Sequence, residues 1–600
     1  MCGIFGIVNP VKENIEGNLD KMLRVLRHRG PDGENIHFFK NCIFGHTRLS
    51  IIDPIGGQQP MLDKESNTGL TFNGELYGYK DIKAKINYNF QSNSDTELLL
   101  VLYKLYGLSF IKILPGMFSF GLWDSKKKLL LCARDRFGEK PLYYAKGNSD
   151  EFIFASEIKA IKASGIINPI IDNNSISHYL KRLFVHPSKT IYKNIFSLPP
   201  GHYLKYQDNK IQVQKYWDTP KPTMIIDEHS AIEKFEYLFN KSIKKQMVAD
   251  VPVGAFLSGG LDSSTIVAIA SRYKNKLKTF SFGFNNTKNN EIEYARIVAK
   301  KYNTEHYELI EQTKDLEKIL IEMQGIFDEP FADSSNIPTY LISRLASDHV
   351  KVVLSGDGGD ELLGGYNFWY DDIFQLQKHL QRIDKNFKEK LRDKIKNRIY
   401  NFRMKYKGEL LYNRFKTINK LYYSQRQIFS DDDLVRFGCS PISDTPIENQ
   451  LLSIDDCLRN DIKEYLSGDI LVKTDRSSMA NSLEVRSPFL DIDLAEFCIS
   501  LPYQMKISPK VQKIILRKAF SKYWPKKINN RNKMGFGAPV HEWLRDDVLK
   551  SLKNEYLGNT NRTIFSHLDG KKIKSYKSQS NYKTWILLNL SLWLEHHYRG

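Results

Sequence analysis

The sequence predicts an α+β first half, a sandwich of antiparallel sheets covered by helices, followed by an α/β half with a parallel sheet and a helical C-terminal part. Length is the first reason: 600 residues exceed one hydrophobic core, since single cores stop growing near ~250–300 residues. At least two domains follow. The second reason is the stretch from Cys2 to Leu204, where short apolar runs are separated by turn signals in the manner of antiparallel strands. The third lies beyond residue 220, where short buried-strand runs alternate with helical spacing, the pattern of parallel strands joined by crossing helices.

In chain order, the strand runs of the first half are Gly-Ile-Phe-Gly-Ile-Val from Gly3, Leu-Thr-Phe from Leu70, Met-Phe-Ser-Phe-Gly-Leu-Trp from Met117, Lys-Leu-Leu-Leu-Cys-Ala from Lys128 and Pro-Leu-Tyr-Tyr from Pro141. Leu19 to Arg27 and Asp95 to Leu105 carry helical spacing between them. Pro199-Pro200-Gly201 and Asp218-Thr219-Pro220-Lys221-Pro222 punctuate the chain, which places a boundary at 1–220 and 221–600. A helix is predicted from Asp227 to Gln246, then strands at Val253–Leu257, Thr279–Phe282 and Val350–Leu354.

A composition of 41% hydrophobic and 26% charged residues is the ordinary globular mixture. The most apolar region, Leu98 to Trp123, is broken by Lys104, Lys112 and Pro115 short of the ~18 residues a spanning helix needs, so no membrane span is predicted. The N-terminus lacks the basic region of a secretory signal, and a cytoplasmic location is expected. Cysteines Cys2, Cys42, Cys132, Cys439, Cys457 and Cys498 are scattered without a CxxC pair, which reads as reduced thiols rather than a zinc site or disulfide framework. Much of the net charge of +19 lies between Lys378 and Arg426, where basic and apolar residues alternate as on solvated amphipathic helices. No RNA-binding module is visible, and no nucleic-acid partner is expected.

Cys2 carries the first chemistry. A residue this small at the second position lets the initiator methionine be trimmed, leaving a thiol of pKa ~8.5 beside an α-amine of pKa ~7.7–8.0 that takes its proton at neutral pH. Around it stand Cys-Gly-Ile-Phe-Gly, Arg27-His28-Arg29-Gly30-Pro31-Asp32-Gly33, Gly45-His46-Thr47-Arg48-Leu49-Ser50-Ile51-Ile52-Asp53, Phe72-Asn73-Gly74-Glu75-Leu76-Tyr77 and Ser94-Asp95-Thr96-Glu97. Together, in this order, they resemble N-terminal-nucleophile glutaminase domains, the class II glutamine amidotransferases. The resemblance implies that Cys2 attacks the glutamine amide. The oxyanion so formed requires preorganised donors worth roughly 3–4 kcal/mol apiece, for which the Asn73 side chain and the Gly74 backbone N–H are the candidates. Arg48 offers a fork for the glutamine α-carboxylate, with Leu49, Ser50, Ile51 and Ile52 beside it; Asp95, helped by Glu75, would accept from the α-ammonium.

In the second half, strand-like Val253–Leu257 runs into Ser258-Gly259-Gly260-Leu261-Asp262-Ser263-Ser264 and a helical stretch from Thr265 to Ala270. Strand, glycine loop and helix start form a phosphate site, because glycines let backbone N–H groups approach and the helix start favours negative charge. The Gly-Lys-[Ser/Thr] of a Walker A loop is absent, and the loop resembles the pyrophosphate-binding loop of adenylating ligases. Downstream come Asp328-Glu329-Pro330-Phe331-Ala332-Asp333, Ser355-Gly356-Asp357-Gly358-Gly359-Asp360-Glu361, Lys473-Thr474-Asp475-Arg476, Ser482 to Asp491 and Lys533 to Gly537. With the first half, these resemble glutamine-hydrolysing asparagine synthetases over essentially the whole chain.

That resemblance implies ATP and Mg²⁺ as cofactors. Leu257, Phe282, Ser355 and Gly356 would surround adenosine, Ser258, Gly259, Gly260, Asp262, Ser263 and Ser264 would form the phosphate loop, and Asp262 and Asp360 would hold Mg²⁺. Lys513 would lie near the α-phosphate or the acyl-adenylate. Asp357 departs from the pattern, since many asparagine synthetases carry glutamate there, and this acid is associated with the adenylate. The expected reaction is glutamine-dependent amidation of a carboxylate, with aspartate the leading acceptor and a uronic-acid sugar of surface-polysaccharide pathways the alternative; a tRNA-modifying relative would leave Cys2 and Asn73-Gly74 without a purpose. An enclosed ammonia passage between the sites is expected on water-exclusion grounds, and a homodimer is a further expectation.

Overall fold

The computed structural model describes residues 1–10, 15–284, 291–311, 315–384, 400–442, 450–531, 535, 537–546 and 548–598. The first half is the predicted α+β arrangement of two six-stranded sheets, whose strand pairs are antiparallel. One sheet runs Phe196–Ser197, Tyr143–Lys146, Phe152–Ala155, Gly3–Val8, Cys42–Arg48, Gly33–Phe38; the other runs Lys210–Lys215, His202–Gln207, Leu129–Arg134, Met117–Asp124, Thr68–Glu75, Met61–Asp63. Alternating side chains explain the layering. Ile4, Phe44 and Phe154 of the first sheet meet Trp123, Leu130 and Leu204 of the second in a shared core. Phe5 and Ile7 face the other way and pack under the helix Ile15–Leu26, whose predicted start at Leu19 lies one turn too late.

The second half is a five-stranded parallel sheet in the order Glu305–Glu311, Lys278–Phe284, Val253–Phe256, Val352–Leu354, Glu484–Arg486. The predicted Asp227–Gln246 helix runs from Glu228 to Gln246 with Asp227 as its cap, its side chain accepting from Ser230 N–H at 3.0 Å. Val253–Phe256 lies at the centre, with later strands added on both sides, so the chain reverses its direction of winding between it and Val352–Leu354. Ligand crevices in open parallel sheets form beyond the strand ends at such a reversal. Residues past the sheet are mostly helical. Among the described residues no helix is long and apolar enough to cross a membrane. Of the basic segment 378–426, residues 385–399 lie outside the described residues, and the helices Asn367–Asp384, Tyr400–Phe415 and Ile418–Gln425 account for most of the rest.

The two halves meet through buried charge. Arg29 donates to both carboxylate oxygens of Asp475, at 2.8 and 2.9 Å, and to Glu157 at 2.7 Å. Arg476 answers from the second half, reaching Glu157 at 2.8 Å and Asp328 at 3.3 Å. Charges this deep are tolerated only when each finds a hydrogen-bonded partner, so the alternation of signs fixes how the halves sit.

Candidate active site

Two strand ends converge on the first site. Pairing of Gly3 with Thr47 puts Cys2 beside Arg48, and the Thr68–Glu75 strand brings Asn73-Gly74-Glu75 up from the other sheet. The Cys2 backbone N–H donates to Asn73 Oδ1 at 3.0 Å, and Arg29 Nε donates to the Cys2 carbonyl at 3.2 Å. Asn73 is thereby fixed from one end, its Nδ2 donating weakly to Ser119 Oγ at 3.4 Å. Gly74 is required here, because a Cβ would strike the Met117 carbonyl of the neighbouring strand.

In the full chain the Cys2 nitrogen is a peptide N–H, and the α-amine belongs to Met1. Met1 is in place and only 2% exposed, and its ammonium pairs with Glu484 of the second half at 3.3 Å. The terminal amine therefore sits one residue away from Cys2, and burial pushes the thiol up, with the Met1 ammonium, then the Leu49 backbone and Arg48, acting against it. Arg48 is held by the chain that follows it. Its guanidinium donates to the carbonyls of Ile52, Asp53 and Pro54 at 3.3, 2.7 and 2.7 Å, so it ties down the loop that follows it. Leu49, Ile51 and Ile52 are buried in the core and Ser50 N–H donates to Asp32 at 2.7 Å. The Glu75 carboxylate lies 3.3 Å from Arg486 of the second half, near enough to Asp95 for the two charges to act on each other.

Asp95 opens the helix Asp95–Tyr106, capped by Ser94, and accepts from Leu76 N–H at 3.0 Å. Burial pushes its carboxyl up to about 6. An acid raised in this way is charged only above that value. With Asp95 as acceptor for the glutamine ammonium, the KM for glutamine is expected to rise by about tenfold per pH unit below pH 6. Asp95→Asn should raise KM at neutral pH and flatten this dependence, which initial rates of glutamine hydrolysis from pH 5 to 8 would reveal.

The second site is a cleft of about 1190 Å³ beyond the ends of the parallel strands. Leu257, Ser258, Gly260, Asp262, Ser263, Phe282, Ser355, Gly356, Asp357, Asp360 and Lys513 all line it. Two predicted loop residues do not. Gly259, at φ +70, turns its back on Tyr294, and Ser264 is fully buried. The reason is that the helix starts at Leu261 rather than at Thr265, so Ser264 already lies within its first turn, pointing into the protein. Gly260 caps that helix in extended conformation and its N–H donates to Ser258 Oγ at 3.2 Å.

Lys513 is the pivot of one end of the cleft. Its ammonium pairs with Asp262 and, at 2.6 Å, with Asp360. Gly365 makes room, since a Cβ there would collide with Asp360 and the Lys513 chain. Lys513 itself stands at φ +51, a conformation lysine rarely takes, and strained residues of this kind collect at functional sites. Asp262 Oδ1 is buried without a hydrogen-bond partner among the described residues. Two convergent carboxylates, one with a spare oxygen, fit Mg²⁺, which binds one or two carboxylates plus phosphate oxygens.

Further along the cleft, Asp357 accepts from Ser355 Oγ at 2.9 Å and Thr474 Oγ1 at 3.1 Å, and burial raises its pKa. Lys473 donates to Ser335 Oγ at 2.9 Å and lies 3.6 Å from Asp333. Both Lys473 and Thr474 sit on the helix Leu471–Met479, which also carries Asp475, the partner of Arg29. A π-helical stretch, Asp461–Ile470, leads into it and places Tyr465 and Ile470 at the cleft. Arg29, Asp475, Glu484, Lys473 and Thr474 received no role from the sequence, although Arg27–Gly33 and Lys473–Arg476 are charged runs amid apolar neighbours, a usable signal for buried pairing. In the Lys533–Gly537 motif, residues 533, 534 and 536 lie outside the described residues.

Comparison with known proteins agrees with this division of chemistry. A glutamine amidotransferase domain model matches residues 1–217, and an asparagine synthase model matches residues 234–595. Asparagine synthetase (glutamine-hydrolyzing) 1 of Bacillus subtilis is 30% identical, covering 99% of this chain and 96% of its own length. A putative asparagine synthetase (glutamine-hydrolyzing) 2 of Methanocaldococcus jannaschii is 39% identical over 64% of this chain and 80% of its own, and a putative asparagine synthetase of Mycobacterium tuberculosis is 30% identical over 99% and 97%. With both domain models matched in order and relatives covered over nearly their whole length, the chain belongs to the asparagine synthase family of glutamine-dependent carbon–nitrogen ligases.

Proposed function

We propose that the chain hydrolyses glutamine at Cys2 and passes the ammonia to a carboxylate that the second cleft has activated with ATP as an acyl-adenylate. The observation that carries this is Lys513 held between Asp262 and Asp360 at a helix start, an arrangement suited to phosphates without a Walker lysine. In the first half, removal of Met1 would give Cys2 its own α-amine as base. The thiolate attacks the glutamine amide carbon, Asn73 Nδ2 and Gly74 N–H hold the oxyanion, ammonia leaves, and water cleaves the thioester.

In the second half, an oxygen of the acceptor carboxylate attacks the α-phosphorus of ATP and pyrophosphate departs; ammonia then displaces AMP. Lys513 supplies positive charge along the phosphates, and Asp262 and Asp360 are the residues that would hold Mg²⁺, whose charge would offset that of pyrophosphate. Asp357, Lys473 and Thr474 face the acyl end. Aspartate is the first reading of the acceptor, with asparagine as product, supported by the names of the relatives. A uronic acid is the second reading, favoured by Asp357, one methylene shorter than glutamate. Product analysis of the native enzyme with ATP, glutamine and each acceptor tests the scheme: AMP and pyrophosphate are expected, and ADP with orthophosphate as primary products would exclude adenylation.

A further inference from the structure

We propose that Glu139 takes the proton which the nitrogen gives up when ammonia replaces AMP, a carboxylate that the glutaminase half extends into the interior between Cys2 and Asp357. It rests on the adenylation reading and deepens it, naming a residue for the last step. Glu139 lies on the connection between the strands Leu129–Arg134 and Tyr143–Lys146, which is held by its backbone. Asp135 accepts from the N–H groups of Phe137, Gly138, Glu139 and Lys140 at 3.1, 2.7, 2.9 and 2.9 Å, and Arg134 Nε donates to the Lys140 carbonyl at 2.8 Å. The loop therefore needs nothing from the Glu139 side chain. That side chain is nonetheless inside: Glu139 is 6% exposed, and among the described residues its carboxyl makes no hydrogen bond.

Its neighbours come from both sites. On the side of Cys2 stands Tyr77, near enough for a charge on Glu139 to act on its hydroxyl, with the Arg486 guanidinium 5.8 Å from the ring and paired with Glu75 and Glu484. On the other side the charges of Asp357 and Asp491 act on Glu139. Lys140, the next residue, lies 4.0 Å from Asp475, and Thr474 before it donates to Asp357 at 3.1 Å.

Two groups here are left without a partner of their own. The Tyr77 hydroxyl has none among the described residues although Tyr77 is only 3% exposed, and a buried hydroxyl in that state is costly unless another molecule meets it. The Glu139 carboxyl is pushed above the usual carboxylate range by burial, then by Asp135, Asp357 and Asp491, against the pull of Lys140. A carboxylate raised in this way is the stronger base. Asp357 is less free to serve, since Ser355 Oγ and Thr474 Oγ1 both donate to its Oδ2. Ammonia in transit can accept from Tyr77 OH and donate to Glu139. At the acyl carbon its lone pair forms the C–N bond, the C–O bond to AMP breaks with its electrons going to AMP, and one N–H proton passes to the Glu139 carboxylate. Glu139 returns that proton to water once the products have left.

The test follows three rates in the full chain with ATP, glutamine and aspartate or galacturonate, whichever supports pyrophosphate release. Glu139→Gln, equal in size, is expected to lower amide formation by about 10²-fold, while glutamate release and first-turnover pyrophosphate release stay at native rates. Glu139→Asp, which keeps an acid, should recover part of the loss. Hydroxylamine supplied in place of glutamine gives up its proton more readily once bonded to the acyl carbon, so Glu139→Gln should form hydroxamate at close to the native rate. Undiminished amide formation in Glu139→Gln, a loss shared by all three rates, or a hydroxamate rate that falls as far as the amide rate would overturn the assignment and leave adenylation standing. No pyrophosphate from the native chain with either acceptor would overturn both.

Discussion

Replacing Cys2 by alanine is expected to lower glutamine-dependent amidation by about 10⁴-fold or more, the scale seen when a covalent nucleophile is removed. Ammonia supplied at high concentration should still support product formation, because the synthetase cleft keeps every residue assigned to it. Retained Met1 should imitate the substitution. In that state the terminal amine is bound to Glu484 and the thiol carries its proton, so the base is missing as well as displaced. The measurement is a pair of rates, glutamine-driven and ammonia-driven, on protein whose N-terminal residue has been identified by mass. Parallel loss of both rates in folded Cys2→Ala protein would count against two separate sites.

The second large effect is expected in the other half. Asp262→Asn leaves the side-chain volume nearly unchanged but removes a charge from the Lys513 cluster, and synthesis should fall about 10²–10³-fold. Glutamine hydrolysis should persist. Both AMP and pyrophosphate should fall together, since the residue acts on the step that forms them, and excess Mg²⁺ should recover part of the loss. A variant that forms AMP at the native rate but fails to amidate would remove Asp262 from the phosphate end of the cleft.

Local patterning made the sandwich and the centre of the parallel sheet legible. Gly3–Val8 and Met117–Asp124 are apolar runs between turns, and Val253–Phe256 runs into its glycine loop, so each announces itself within a short window. The two outer parallel strands did not. Glu305–Glu311 is Glu-His-Tyr-Glu-Leu-Ile-Glu, whose charges protect a sheet edge from pairing with other chains and hide the strand from a hydrophobic reading. Glu484–Arg486 is three residues long and two of them are charged; it pairs with Val352–Leu354, and its charged side chains meet Met1 and Glu75 of the first half. Of the candidate site, the motifs supplied residue types but not their pairing. Nothing near Lys513 says that its ammonium lies between Asp262 and Asp360, or that Gly365 clears the way.

The contact between Arg29 and Asp475 joins residues 446 positions apart in the chain. Synthesis at about 5–20 residues per second separates their emergence from the ribosome by roughly 20–90 s. For that interval a folded first half would present the Arg29–Glu157 pair, which is covered in the finished protein, without Asp475 and Arg476, its partners from the second half. The face that seats the second half is thus a hazard during biosynthesis, when chaperones would have their longest access to it. Truncated messages that stop short of residue 475 should yield protein that is held by chaperones or aggregates, and supplying the missing half later should rescue little of it.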